Sequence, residues 1–236
     1  MVLKKWEDLP DFMRIPEVKP YYDILNKKRA SLCFKRVFDF VVAIIMLIIL
    51  SPVFLILAIA IKIDSKGPVF YRQVRVTQYG KEFRIHKFRT MCDGADKKGT
   101  LVTVGNDNRI TRIGRVIRKC RMDEIPQLVD IIEGNMSFVG TRPEAVRYVE
   151  KYLPEYIATL LLPAGITSEA SIRYKGEAEL LDSSKNVDKT YIEDILPEKM
   201  KYNLAMIKFF NAFSELRTLV RTVLAVLGRN YSKFIE

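Results

Sequence analysis

Histidine is almost missing from this chain: His86 is the only one in 236 residues. That excludes His-based metal triads and argues against a Ser-His-Asp relay. His86 lies in an alternating, strand-like stretch beside Lys87 and suits a packing role. Cysteine is scarce as well. Cys33, Cys92 and Cys120 are odd in number and widely spaced, which fits neither a disulfide framework nor a zinc site. They read as small core residues of a protein in a reducing, cytoplasmic setting. The chain has no G-x-G-x-x-G, no G-x-x-x-x-G-K-S/T and no D-x-D pair, so dinucleotide, Walker-type and many nucleotide-sugar metal sites are not indicated. Acidic residues are outnumbered, 28 against 39 Lys and Arg, for a net charge of +11. Such an excess implies an anionic partner: acidic lipid, nucleotide phosphates or nucleic acid.

What is present is one long apolar run. Phe40 to Ile61 carries no charge over 22 residues and has Ser51-Pro52 at its midpoint. A helix of that length is about 33 Å long, enough to cross the hydrocarbon core of a bilayer. The run starts too late and is too long for a cleaved signal peptide, so the chain is expected to be membrane-bound. Lys35 and Arg36 precede it and Lys62 and Lys66 follow, so a straight crossing places basic residues on the outer side, against the positive-inside tendency. A helix that enters, breaks at Ser51-Pro52 and leaves by the same face avoids this. A kinked single span is the other reading, and these residues leave both open.

The mean hydropathy is +0.02, which leaves material for one membrane helix and one compact domain. Residues 1–34 read as a basic, proline-punctuated arm suited to anionic lipid, residues 35–66 as the membrane helix, and residues 67–236 as a cytoplasmic domain. In that domain Val69–Val76 and Lys81–Phe88 alternate in polarity around Gln78-Tyr79-Gly80, which predicts a β-hairpin. Ile110, Ile113, Val116 and Ile117 recur at helical spacing between arginines, so a short amphipathic helix is expected in the membrane interface plane. Beyond Asp188 a long amphipathic helix is expected. Its stripe is Leu204, Ile207, Phe210, Phe213, Leu216, Val220, Val223 and Leu227, and it is taken to pack on the core. The fold class is α+β, mainly α.

The chemistry concentrates at Asp123-Glu124-Ile125-Pro126-Gln127-Leu128. Asp123 reads as an N-cap, Glu124 as part of the first turn, and Gly134 as the end of the helix. The pair follows six basic residues, Arg109, Arg112, Arg115, Arg118, Lys119 and Arg121. Basic neighbours and a helix N-terminus both hold a carboxylate ionised, as a nucleophile or a Mg²⁺ ligand requires. Thr141-Arg142-Pro143-Glu144 has the spacing of a capping box, which would set Arg142 to meet a phosphate at free backbone N–H groups.

KRVFDF, the helix interrupted by SP, KGPVFYRQVRV, KFRTM, ITRIGRVIRKCRMDEIPQLVDIIEGNMSFVGTRP and PAGIT follow one another between Lys35 and Thr167. In this order they resemble the monotopic phosphoglycosyl transferases, bacterial sugar transferases that start glycan assembly on a polyprenyl phosphate. The resemblance implies a re-entrant helix bent at Ser51 and Pro52 in the bacterial inner membrane, with the catalytic domain on the cytoplasmic face. It implies transfer of a sugar 1-phosphate from a UDP-sugar to undecaprenyl phosphate with release of UMP. Asp123 would be the nucleophile that forms a phosphosugar-aspartyl intermediate, and Glu124 would assist, with Mg²⁺ near Asp123 and Glu124. Arg118 would contact the acceptor phosphate and Arg142 the nucleotide diphosphate, with Lys87 and Arg89 as further substrate contacts. The chain departs from the commoner family pattern at Thr141 and in the segment PAGITSEASIRYKGEAEL, which leaves the sugar unspecified. Oligomeric state is not legible either. A non-catalytic, membrane-anchored scaffold for glycan assembly is the alternative. Nucleic acid is not expected as a partner, because no stacking aromatics interleave with the arginines.

Overall fold

The computed structural model describes residues 3–95, 108–174, 176 and 186–226. It is mainly helical, with two two-stranded sheets among the described residues.

The chain begins with two 3₁₀ turns, Trp6–Asp8 and Asp11–Met13, and helix α1 (Lys19–Asn26). Here the structure differs from the arm expected on a lipid surface. Leu3, Leu9, Met13, Val18, Tyr21, Tyr22 and Leu25 are buried, packed with Leu160, Leu161, Leu162, Leu204, Ile207 and Phe210 in one core cluster. Prolines break the segment into short pieces: the turn Trp6–Asp8 buries none of its own residues, the turn Asp11–Met13 buries Met13, and α1 buries Tyr21, Tyr22 and Leu25. Burying each is worth about 1.5–3 kcal/mol, enough to hold a segment with little regular structure.

Helix α2 (Arg29–Asp64) is 36 residues long and stays helical through Ser51-Pro52, with Pro52 inside it. Proline cannot donate to the carbonyl four residues back, which belongs to Ile48. The Ser51 hydroxyl donates to that same carbonyl at 2.8 Å, so the bond is replaced locally and the helix does not terminate. Ile45, Ile48, Ile49, Leu55, Ile56 and Ile59 are exposed, whereas Ala43 and Ile61 are buried. Both ends of α2 are tied to the same domain. At the start, Lys35 donates to Glu215 at 2.7 Å and to the Val139 carbonyl at 3.1 Å. Asp39 accepts from the Ser137 hydroxyl at 2.6 Å. Arg36 donates to the Ile131 and Ile132 carbonyls at 2.6 and 3.1 Å. At the end, Asp64 accepts the Ile113 N–H at 2.9 Å.

Strands β1 (Phe70–Val76) and β2 (Glu82–Phe88) form the expected antiparallel hairpin, with Tyr71 opposite Lys87. Helix α3 (Arg112–Lys119) is capped by Thr111, whose hydroxyl accepts the Gly114 N–H. Ile117 is buried and Val116 exposed, so one apolar edge faces the core and another faces out. Gly114 lies where a Cβ would stand 2.1 Å from the Thr90 carbonyl oxygen, so only glycine lets α3 approach the end of β2 this closely. Helix α4 (Gln127–Glu133) ends at Gly134, whose φ of 87° is the left-handed cap read from the sequence.

A parallel pair, β3 (Met136–Val139) and β4 (Ala164–Thr167), was not legible in the sequence. Helix α5 (Val146–Val149) lies between the two strands in the chain and α6 (Glu169–Arg173) follows them. The long C-terminal helix expected beyond Asp188 is divided. Helix α7 (Val187–Thr190) runs through a π turn, Tyr191–Ile195, into α8 (Leu196–Lys208); α9 (Ala212–Val226) then starts afresh. The Asn211 side chain accepts the Ser214 N–H at 2.7 Å and so starts the new helix. Leu204, Ile207 and Phe210 enter the core as expected, but Phe213, Leu216, Val220 and Val223 are exposed. Leu227, the end of the expected stripe, lies outside the described residues. The cysteines also depart from expectation: all three are free and exposed. Cys33 is on the outer face of α2 and Cys120 follows the last residue of α3, positions where a small thiol needs no core.

Candidate active site

Asp123 and Glu124 sit on a turn between two helices. After α3, Arg121 adopts φ 56°, in the left-handed region. This reverses the chain into the 3₁₀ turn Met122–Glu124. Asp123 is therefore not the N-cap that the sequence suggested. Helix α4 starts only at Gln127, and Pro126, which has no N–H to satisfy, occupies the cap position.

The two carboxylates have different surroundings. Glu124 accepts Lys87 Nζ, delivered by β2, at 2.9 Å. It also accepts both terminal nitrogens of Arg142. Burial alone would raise its pKa, but Arg142 and then Lys87 outweigh it and hold Glu124 well below the ordinary 4.5. Asp123 moves the other way. Burial and then the negative charge of Glu124 raise its pKa above 3.8, and the attraction of Lys87 and Arg118 does not cancel them. The expectation that basic neighbours hold both carboxylates ionised therefore holds for Glu124 and fails in direction for Asp123. Burial also lowers the pKa of Lys87, against the pull of Glu124.

Asp123 lines a basic cleft of about 510 Å³ together with Lys87, Arg89, Arg109 and Arg118. Lys87 and Arg89 reach it from alternate positions at the end of the hairpin, a spacing of two that the sequence displays. Arg118 Nε donates to Thr90 Oγ1 at 2.8 Å, a positioning contact that nothing in the sequence singled out. Arg89 is 4% exposed and donates through Nη2 to the Ser65 carbonyl and hydroxyl at 2.7 and 2.9 Å. Its buried Nε and Nη1 find no protein acceptor. A buried guanidinium with donors left over suits an anion entering the cleft.

The capping box expected at Thr141–Glu144 does not form. Residues 141–145 have no regular structure, and α5 begins only at Val146, capped by no side chain. Glu144 is instead buried, accepting the Tyr191 hydroxyl at 2.5 Å. Arg142 thus comes to Glu124 from a segment without regular structure, not from the first turn of a helix. His86 is more than packing: its Nδ1 and its backbone N–H meet the two carboxylate oxygens of buried Asp130 at 2.8 and 2.9 Å.

As holders of a hard divalent cation, the two carboxylates are unequal. Both oxygens of Glu124 are engaged by Arg142 and one of them also by Lys87, so it offers a metal no oxygen without breaking an ion pair. Asp123, opening on the cleft lined by Lys87, Arg89, Arg109 and Arg118, is the one of the two whose chemistry and surroundings fit a hard cation.

Comparison with known proteins identifies the family. Residues 30–229 match the family model described as bacterial sugar transferase. The chain is 33% identical over 196 residues to the UDP-N-acetylgalactosamine-undecaprenyl-phosphate N-acetylgalactosaminephosphotransferase of Aeromonas hydrophila, covering 82% of this chain and 43% of that protein. It is 32% identical over 197 residues to the UDP-glucose:undecaprenyl-phosphate glucose-1-phosphate transferase of Caulobacter vibrioides, covering 82% of this chain and 69% of that protein. It is 39% identical over 150 residues to the exopolysaccharide production protein PSS of Rhizobium leguminosarum, covering 61% of this chain and 75% of that protein. The chain thus spans less than half of the Aeromonas relative and about two thirds or more of the other two. With the family model matched over most of its length, the chain belongs to the bacterial sugar transferase family.

Proposed function

We propose that this protein transfers a sugar 1-phosphate from a UDP-sugar to undecaprenyl phosphate, releasing UMP, as the first membrane step of a bacterial glycan. The observation that carries the reading is the division of labour between adjacent carboxylates: Glu124 is bound to Lys87 and Arg142, while Asp123 opens on a basic cleft. In the first step an Asp123 carboxylate oxygen attacks the phosphorus bonded to the sugar. The bond from that phosphorus to the bridging oxygen breaks, and UMP leaves with the electron pair. In the second step an oxygen of the acceptor phosphate attacks the same phosphorus and the aspartyl–phosphorus bond breaks, regenerating the carboxylate. Covalent exchange suits a soluble donor and a lipid-embedded acceptor, because the two anions never share the pocket.

Glu124 keeps Lys87 and Arg142 in place, and Lys87, Arg89, Arg118 and Arg142 are the phosphate contacts. Asp123 would hold Mg²⁺, which would supply neutralisation of phosphate charge. We place the protein in the inner membrane as a monotopic protein with a re-entrant α2. Two features support this: both ends of α2 are tied to one domain, and its middle presents an apolar face outward.

The test is UMP release by membranes containing the protein, across a panel of UDP-sugars with undecaprenyl phosphate. The panel is needed because the named relatives differ in sugar. Asp123→Asn abolishes release while the thermal midpoint is retained. Undiminished release by Asp123→Asn refutes the nucleophile, and release from no sugar by the wild type favours a scaffold.

A further inference from the structure

Asp130 is 0% exposed, and the proposed reaction makes no use of it. Both of its carboxylate oxygens go to one residue. Oδ2 accepts the His86 backbone N–H at 2.9 Å and Oδ1 meets His86 Nδ1 at 2.8 Å. Among the described residues β2 pairs only with β1, so its other edge presents backbone groups that need partners, and Asp130 of α4 satisfies one of them as a third strand would. A carboxylate kept from water is costly, and burial raises the pKa of Asp130 against the opposing His86 hydrogen bonds. An apolar residue would serve packing alone at no such cost. The pair joins the two elements that build the carboxylate site. Lys87, the residue after His86, donates to Glu124 at 2.9 Å, and α4 follows directly on the turn that carries Asp123 and Glu124. Phe83 and Ile85 of β2 already pack with Leu128 and Ile131 of α4 in one core cluster. Apolar contact is non-directional and lets a strand slide along a helix, whereas two hydrogen bonds from one carboxylate fix the position.

We propose that Asp130 and His86 are positioning residues for the nucleotide donor: they fix β2 along α4 so that Lys87 meets both Glu124 and a phosphate in the basic cleft. The inference rests on the proposed reaction and adds to it two residues that touch no substrate. Lysine carries its charge on a flexible four-carbon stem, so the place of its ammonium depends on where the backbone sets the stem. A misplacement of about 1 Å at a phosphate contact is enough to lose most of its benefit. Helix α4 is itself fixed, because Arg36 of α2 donates to the Ile131 and Ile132 carbonyls. The position of Lys87 is thus referred, through His86 and Asp130, to the long apolar helix. The charged groups around the imidazole are Asp130 and the exposed Glu133 from α4, Arg72 opposite it on β1, and Arg84 on its own strand. The Arg72 guanidinium is turned to the Arg84 carbonyl.

The test uses the full chain in nanodiscs, with UMP binding measured by calorimetry. Asp130→Leu removes both acceptors and is expected to weaken UMP binding about tenfold. Ile131→Val, a core change on the same helix, controls for lost stability and leaves UMP binding at the wild-type value. Asp130→Asn is the conservative rescue: its amide oxygen accepts the His86 N–H, and its NH₂ donates to the His86 tautomer whose Nδ1 is unprotonated. It binds UMP as the wild type does near pH 8. By about pH 5.5 it binds roughly fivefold more weakly than the wild type, because an imidazolium cannot accept from an amide but still donates to a carboxylate. A second readout needs no substrate: Glu124→Gln is expected to lower the thermal midpoint only about half as far in the Asp130→Leu background, since a displaced Lys87 has less to lose. Should Asp130→Leu fail to fold, His86→Ala spares the bond to the backbone N–H and provides both readouts. UMP binding unchanged by Asp130→Leu, Asp130→Asn binding that follows the wild type at both pH values, or an equal Glu124→Gln shift in both backgrounds overturns the proposal. A wild type that binds no UMP, yet shows the coupling between residues 124 and 130, upholds the positioning of Lys87 and refutes the proposed reaction, so the two failures are distinct.

Discussion

Replacing Glu124 by Gln removes one negative charge from between two cations and isolates its contribution. The Glu124 side chain is 13% exposed, and Lys87, 2.9 Å away, is 21% exposed. Breaking a buried pair by deleting one partner costs about 3–5 kcal/mol, because the remaining charge keeps its desolvation penalty without compensation. Arg142 is 34% exposed, so water re-solvates it and its share falls toward the roughly 0.2–1 kcal/mol of a surface pair. We expect Glu124→Gln to destabilise by about 3 kcal/mol, mostly through Lys87. For a chain of this size that lowers the thermal midpoint by about 6–12 °C. The pH dependence follows from the depressed pKa of Glu124. Its stabilisation is complete above the ordinary 4.5 and is lost only as pH falls through the lower folded-state value. Thermal scans of wild type and variant in nanodiscs therefore differ by a constant amount from neutral pH down to about pH 5. The gap closes only in stronger acid. Adding Lys87→Met to the variant recovers part of the loss. A gap under about 1 kcal/mol, or one that closes by pH 6, refutes the buried-pair account.

Asp123 provides a second titration: because burial and Glu124 raise its pKa, the rate falls in acid at a pH above the 3.8 of an ordinary aspartate. Lys87→Met moves that limb to higher pH and Glu124→Gln moves it lower; shifts in the same direction in the pH–rate profiles sink the assignment. Arg121→Gly relieves the left-handed backbone at φ 56°, and after the entropy cost of glycine it is expected to raise stability by about 0.5–1 kcal/mol in denaturant titrations. Pro52→Ala returns an N–H to the Ile48 carbonyl and removes the need for the Ser51 hydroxyl. A cysteine introduced at Lys62 is then expected to react with an impermeant maleimide added from the periplasmic side, whereas with Pro52 in place it reacts only from the cytoplasmic side. Identical labelling in both backgrounds counts against the re-entrant arrangement.

The hairpin, the arginine-rich α3 and the end of α4 at Gly134 were legible because each depends on neighbours in the chain: alternation, a period of 3.6, and one glycine. The carboxylate pair was legible as a pair, but the opposite pKa directions were not. They depend on Lys87 and Arg142, 37 and 18 residues from Glu124 in the chain and brought to it by β2 and by a segment without regular structure. Thr141–Glu144 misled because a capping box needs a helix to follow, and Glu144 is drawn away by Tyr191. The burial of residues 3–25 was harder to read: Val18, Tyr21, Tyr22 and Leu25 keep helical spacing, but Leu3, Leu9 and Met13 follow no period, and most of the buried residues they pack against are distant in the chain, between Ala158 and Phe210. The start of α9 did have a local signal, Asn211 three residues before Ser214, hidden within an apolar stripe that continued across it.

The Lys35–Glu215 contact closes a loop of 180 residues. At about 5–20 residues per second, Glu215 is translated roughly 10–40 s after Lys35. On the proposed membrane placement, α2 meets the bilayer while Lys35 and Asp39 still await the acid that completes their network. During that interval a nascent chain has its anchor in the bilayer and its domain unclosed, and bound phospholipid or a chaperone has time to act on it before the ribosome finishes.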